Sequence, residues 1–353
     1  MKMNENIRKR GHTMRYIGGK TLLLDYIIDT IEAETEDIKT VIDIFSGSGT
    51  VGNALKAKQY SVWSNDFLYF SYVIARGTIG ICAEPLFKNF DFDVIEYLNH
   101  ITLEDTAYSL QQCFIYNNYS PNENCDRMYF QNENAIKIDL IRMQIEEWKQ
   151  TGLLSEDEYF YLLAALINAV PYVANITGVF GAYLKYWDKR TYNALRLEKP
   201  AIIATNAKMV CTNADYTQIL SEQYDLLYAD PPYNAREYLP NYHVLETIAR
   251  YDYPKLQGVT GMRSYDNQKS VFCKKSKVHS AFETLIRDCQ SRYLLISYNN
   301  EGIISTDELS KLCKEYAVGN SFQLIEIDYR RYKNKIPNNK AGLKEQLYFL
   351  RRN

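Results

Sequence analysis

The spacing of apolar positions changes character along the chain and marks its elements. Helical periodicity from Lys20 to about Glu34 predicts an amphipathic helix. A compact apolar run from Thr40 to Phe45 then predicts a strand, a second helix starts at Thr50, and Tyr60 to Ser64 predicts another strand. This is a βαβ opening, the unit of a parallel sheet covered by helices. From about residue 207 the alternation resumes, with short apolar strands at Met209–Thr212, Leu226–Ala229 and Tyr293–Ser297, and a helix opened by the Ser305/Glu308 capping box. Two β-like runs, Phe322–Tyr332 and Gln346–Arg351, close the chain as a terminal hairpin. Residues 85–200 break the alternation: they read as mainly helical and polar, rich in Asn, Tyr and Glu. The expected organisation is one α/β sheet in two halves, 1–84 and 201–353, with an inserted, mainly helical lobe at 85–200.

One stretch, Tyr161 to Leu184, carries no charge and is long enough to span a bilayer. Asn168, Pro171, Asn175 and Thr177 interrupt it, and Ser155 with Glu158 forms a capping box just upstream, so a buried helix followed by a loop is expected instead. The 353 residues, 46% hydrophobic and 24% charged, suffice for a sizeable core and exclude a disordered or fibrous chain. Seven cysteines without a CxxC pair or a Cys/His cluster argue against a disulfide framework and a metal centre. Met1 to Arg10 lacks the apolar core of a secretory signal, and free thiols fit a cytoplasmic protein. With 41 basic and 43 acidic residues there is no global positive field, so a polyanionic partner must be met by local patches. The 31 tyrosines offer flat, hydrogen-bonding faces suited to bases, although filling an α/β core accounts for most of them equally well.

Two constellations carry chemistry. The first runs from Asp43 through Phe45, Gly47 and Gly49 to Gly52, where the first strand turns into a helix. Glycines there let the backbone approach a ligand, and the helix start presents free N–H groups. Asp66, after the next strand, is suited to the two hydroxyls of a ribose. Spacing alone leaves a dinucleotide and S-adenosylmethionine equally open, with a ligand-free turn as the plain alternative. The second constellation is Asp230-Pro231-Pro232-Tyr233, directly after the strand Leu226–Ala229. Consecutive prolines remove two donors and stiffen the turn, so a carboxylate, carbonyls and an aromatic plate come together. That set describes a pocket for the exocyclic amino group of a flat heterocycle, and it favours S-adenosylmethionine as cofactor.

These motifs resemble the D12 class of DNA adenine N6-methyltransferases in the α-type motif order, over essentially the whole chain. Arg15-Tyr16-Ile17-Gly18-Gly19-Lys20 is similar to the family's first cofactor motif, in which Tyr16, Gly18 and Lys20 would line the methionine side of the cofactor. The glycine turn and Asp66 match the next two motifs. Asn213-Ala214-Asp215-Tyr216 resembles the segment whose acid reads the cofactor adenine, and the 230–233 tetrad resembles the catalytic motif. The resemblance implies a target-recognition lobe at 85–200. The stretches 175–197 and 234–263 resemble the branch that contains modification enzymes of some type IIS restriction systems, which implies a cognate restriction endonuclease acting separately.

The chemistry then follows from electronics. The adenine amino nitrogen is a poor nucleophile because its lone pair is delocalised, and acceptors at Asp230 and the Pro231 carbonyl would free it for in-line attack. Tyr233 would stack on the flipped-out base. No Pro-Cys dipeptide occurs, so a covalent cysteine route has no candidate. DNA phosphates require basic patches, for which Lys185, Arg190, Arg236, Arg330, Arg331 and Lys333 are the candidates, with Arg8–Arg10 and Lys274–Lys277 as further clusters. The rival readings are an RNA or protein-glutamine N-methyltransferase, which use related tetrads, and an inactive DNA-binding homologue.

Overall fold

The computed structural model describes residues 19–328 and 342–352. Its centre is a seven-stranded sheet of β1 (Thr40–Asp43), β2 (Ser61–Asn65), β3 (Met209–Thr212), β4 (Leu226–Ala229), β5 (Tyr293–Asn299), β6 (Gln323–Asp328) and β7 (Lys344–Arg351). The spatial order is β3-β2-β1-β4-β5-β7-β6. The first five are parallel, and β7 inserts antiparallel between β5 and its hairpin partner β6. Strand order reverses between β1 and β4, and a crevice at the carboxyl ends of the strands is the natural ligand site of such a sheet.

Every residue of β4 and β5 is buried, which is why both strands read as unbroken apolar runs. On one face, Val41, Leu226, Leu295, Leu347 and Phe349 pack against α1 (Leu24–Glu34) and α2 (Thr50–Ala57). On the other, Ile42, Leu227, Leu294 and Leu350 meet α9 (Val278–Asp288) and α10 (Thr306–Tyr316), the latter opened by the expected Ser305/Glu308 capping box. The predicted helix at Lys20 begins as a 3-10 turn, Lys20–Leu22, before α1. The strand expected to reach Phe45 ends at Asp43 because the backbone must turn into the glycine loop, although the Ile44 amide still donates to the Tyr228 carbonyl at 3.1 Å.

The intervening region is helical: α3 (Tyr69–Thr78), α4 (Val94–His100), α5 (Phe114–Tyr119), α6 (Asn132–Gln150) and α7 (Glu156–Ala169), with α8 (Leu239–Arg250) returning after the tetrad. One apolar cluster joins them, drawing in Phe70 and Val73 before the 85–200 stretch and Val244, Leu245 and Ile248 after it. Gly77 lets α3 and α7 touch: a Cβ there would lie 2.4 Å from the Phe160 carbonyl oxygen. Glu246, fully buried on α8, caps the start of α3 by accepting from the amides of Tyr69 (3.1 Å) and Phe70 (2.9 Å). The uncharged run from Tyr161 ends its α-helix at Ala169, and no described helix is long and apolar enough to cross a membrane.

Candidate active site

The crevice at the reversal point is an open cleft lined by the glycine turn, Asp43, Asp66, Asp215, Tyr216, Asp230, Pro232, Tyr238 and Lys20. The turn is built by conformations that only glycine adopts easily: φ is +52° at Gly47 and +73° at Gly49. Gly52 serves a different need, since a Cβ there would lie 2.5 Å from Ile79 Cδ1 and 2.8 Å from Ser64 Oγ. It lets α2 sit directly on β2.

Asp66 has a structural task besides facing the cleft. Its Oδ2 accepts from the Gly47 amide at 2.8 Å and its Oδ1 from the Leu68 amide at 2.9 Å, which ties the end of β2 to the glycine turn. Burial outweighs these bonds and pushes its pKa up to about 6. Asp43 has no such partners: both carboxyl oxygens are buried without a hydrogen bond. Burial, with the carboxyls of Asp230 and Asp66 nearby, raises its pKa well above the usual range. A buried carboxyl left without a hydrogen bond in a ligand cleft suits a ligand that brings positive charge.

Phe45 and Tyr216 form an aromatic wall. Their ring centroids are 5.7 Å apart, and Phe272, fully buried, packs against both at 5.4 and 5.2 Å. Asp215 is exposed at the rim, where its Oδ1 accepts from the Thr217 amide and hydroxyl at 2.9 and 2.5 Å.

Opposite lies the tetrad. Asp230 follows β4 with its side chain 17% exposed, and Lys20 Nζ stands 3.0 Å from its Oδ1. Burial lifts the Asp230 pKa and Lys20 opposes the shift, leaving it at about 6. Pro232 lines the cleft, and Pro231 is buried behind it. The Tyr233 ring is 4% exposed and does not line the cleft; it meets the edge of Tyr298 at 5.9 Å and lies under Lys20 Nζ at 5.2 Å. A base stacking on this ring therefore needs a rearrangement. Tyr238 presents a ring into the cleft instead, and burial, with Tyr233 and Asp230 close by, holds its hydroxyl neutral. Glu345 of β7 also reaches this end of the cleft, its Oε2 3.5 Å from Lys20 Nζ. Tyr238 and Glu345 escape sequence reading because Tyr238 lies outside the tetrad and Glu345 sits in a strand whose burial implies only packing.

The basic candidates are dispersed. Lys185 is exposed on the loop that buried Asn175 organises by accepting from the Asp188 amide (3.1 Å) and donating to the Leu184 carbonyl (2.9 Å). Arg190 is one-third exposed, with Nε 3.7 Å from Asp188. Arg236 is exposed just beyond the tetrad. Tyr16, Gly18, Arg330, Arg331 and Lys333 lie outside the described residues. No group of His, Cys, Asp or Glu suited to a metal occurs among the described residues, and all seven cysteines are free thiols.

Comparison with known proteins bears on the whole of this arrangement. The family model described as D12 class N6 adenine-specific DNA methyltransferase matches residues 16–312. The chain is 41% identical over 342 residues to the type II methyltransferase M.FokI of Planomicrobium okeanokoites, covering 96% of this chain and 53% of that protein. It is 38% identical over 345 residues to the modification methylase StsI of Streptococcus sanguinis, covering 96% and 52%. With the type II methyltransferase M.NlaIII of Neisseria lactamica it shares 37% identity over 326 residues, covering 91% and 92%. The chain thus spans about half the length of the first two relatives and nearly the whole of the third. A reversed α/β sheet, a glycine turn beside a tetrad at its carboxyl edge, and a family match spanning both agree: the chain belongs to the D12 class of N6 adenine-specific DNA methyltransferases.

Proposed function

We propose that this protein transfers a methyl group from S-adenosylmethionine to the N6 amino group of an adenine flipped out of double-stranded DNA, as the modification activity of a restriction system with a separate nuclease. The observation that carries the reading is the joining of two sites in one cleft: the glycine turn with its unpaired Asp43 carboxyl, and Asp230 with Pro232 opposite. S-adenosylmethionine fits the first by its charge and its adenosine. Asp43 meets the cationic end, Asp66 takes the ribose hydroxyls with its remaining lone pairs, and the Phe45–Tyr216 wall and Asp215 receive the adenine.

The chemistry S-adenosylmethionine supplies when bound is an electrophilic methyl group, released as the C–S electron pair stays on sulfur and cancels the sulfonium charge. Asp230 and the Pro231 carbonyl accept the two amino hydrogens of the target, which turns the nitrogen lone pair out of conjugation and toward that methyl. After the N–C bond forms, the nitrogen sheds one proton to Asp230 and thence to water. Asp230 acts as an orienting acceptor first and as a proton acceptor only afterwards. The lobe at 85–200, together with the 234–275 segment, selects the sequence, and surface cations grip phosphate.

The test is methyl transfer from radiolabelled S-adenosylmethionine to mixed genomic DNA, followed by nucleoside digestion. N6-methyladenine as the sole labelled nucleoside, with no competition by NAD, is expected. Label confined to RNA or to protein glutamine, or none at all, refutes the reading.

A further inference from the structure

Lys20 is 4% exposed, and its ammonium is shared between two carboxylates. One is Asp230, at 3.0 Å from Oδ1. The other is Glu345, whose Oε2 lies 3.5 Å away and whose side chain is 8% exposed. Glu345 sits in β7 between Asn299 of β5 and Ile327 of β6. Side chains alternate across a strand, so Glu345 shares its face with Leu347 and Phe349, the face covered by α1 and the Lys20 turn. A carboxylate in an otherwise apolar stripe is expensive to bury without a partner, and Lys20 is the cation beside it. Three distant pieces of chain meet here: the 3-10 turn before α1, the loop after β4 and the start of β7.

Resting on the proposed methyl-transfer reading, we infer that Glu345 is a positioning residue for the reaction, holding the Lys20 ammonium on Oδ1 of Asp230 so that Oδ2 is the oxygen left for the substrate amine. Lys20 also lies over the Tyr233 ring at 5.2 Å, so the same contact braces both ends of the tetrad. Burial works against the Lys20 charge, yet Asp230 and then Glu345 outweigh it and raise its pKa. Glu345 also pushes the Asp230 pKa upward, against Lys20. The groups facing this pair are Asp43, Tyr228, Tyr233 and Tyr238, and Glu345→Gln alters none of them.

Glu345→Gln keeps the shape and removes the charge. A loosened Asp230 should lower kcat roughly tenfold, since small misplacements of a reacting group carry costs of this order. Both limbs of the pH profile of kcat/KM should move to lower pH by about half a unit or more, because Asp230 and Lys20 each lose the nearby negative charge. A fall in kcat with both limbs unmoved would mean a merely structural role and overturn the inference. A second readout needs no turnover: the Lys20 signal in protein labelled with 13C at lysine Cε, assigned with Lys20→Arg, should titrate at lower pH in Glu345→Gln. An unshifted Lys20 titration overturns the pairing whatever the activity. Wild-type protein that binds S-adenosylmethionine yet methylates no DNA refutes the proposed function instead, while the Lys20 titration still decides the pairing.

Discussion

Asp66→Asn separates two tasks of one side chain. In the native protein each carboxylate oxygen accepts one backbone amide, from Gly47 at 2.8 Å and from Leu68 at 2.9 Å. An Asn amide has one acceptor, so whichever way it is turned its NH2 group confronts an N–H, and one buried donor is stranded at a cost of about 1–3 kcal/mol. Against this, Asn never has to ionise in a site where burial has raised the Asp66 pKa to about 6 from 3.8. A raised folded pKa means that the carboxyl's contribution to stability is fully present below the unfolded value and is lost as pH rises through the folded one. That loss reaches about 3 kcal/mol at pH 8 but only about half of it at pH 5. The variant should therefore fold almost as stably as wild type at pH 8 and be about 1–2 kcal/mol worse off, relative to wild type, at pH 5. S-adenosylmethionine affinity should drop roughly ten- to a hundredfold at neutral pH, the worth of a charged acceptor toward ribose hydroxyls. Urea denaturation at the two pH values and titration calorimetry read these effects. A stability difference that does not change with pH, or an unchanged dissociation constant, refutes the reasoning.

Other substitutions probe the remaining parts. Asp230→Ala should cut methyl transfer roughly a hundredfold or more while leaving S-adenosylmethionine affinity near wild type, and near-normal turnover would remove Asp230 from the chemistry. Gly77→Ala should cost about 1–3 kcal/mol, because the new Cβ meets the Phe160 carbonyl oxygen and the Ala164 Cβ, each at 2.4 Å; an unchanged melting temperature would show that α3 and α7 separate freely. Lys185→Ala and Arg190→Ala should each relax sequence preference at one position by about 1–3 kcal/mol if the side chain reaches a base edge, read from methylation of a randomised-site library. Identical preferences and rates in both variants would reject a recognition role.

The sequence by itself determined the sheet and the motifs on it. Short apolar runs such as Leu226–Ala229 read as buried strands because parallel strands covered on both faces need no polar positions. Ser155/Glu158 and Ser305/Glu308 announced helix starts because a capping box is a local hydrogen-bond device. Gly47 and Gly49 stood out because their positive φ is a local demand, and the tetrad because prolines flanked by an acid and a ring serve no ordinary turn.

Tertiary structure decided whatever depends on partners distant in sequence. Lys20 matched a cofactor motif, but only the meeting of the first turn with β4 and β7 sets its ammonium between Asp230 and Glu345. Tyr233 read as an open stacking plate, whereas packing against Tyr298 covers it and leaves Tyr238 facing the cleft. Glu246 and Gly77 carried no sequence signal, because capping another helix's amides and admitting another helix's backbone are properties of a contact, not of a spacing. Periodicity and turn chemistry act within a few residues and are therefore written along the chain. The protonation, exposure and orientation of a side chain depend on the dielectric and charges around it, and those exist only once distant segments have packed together.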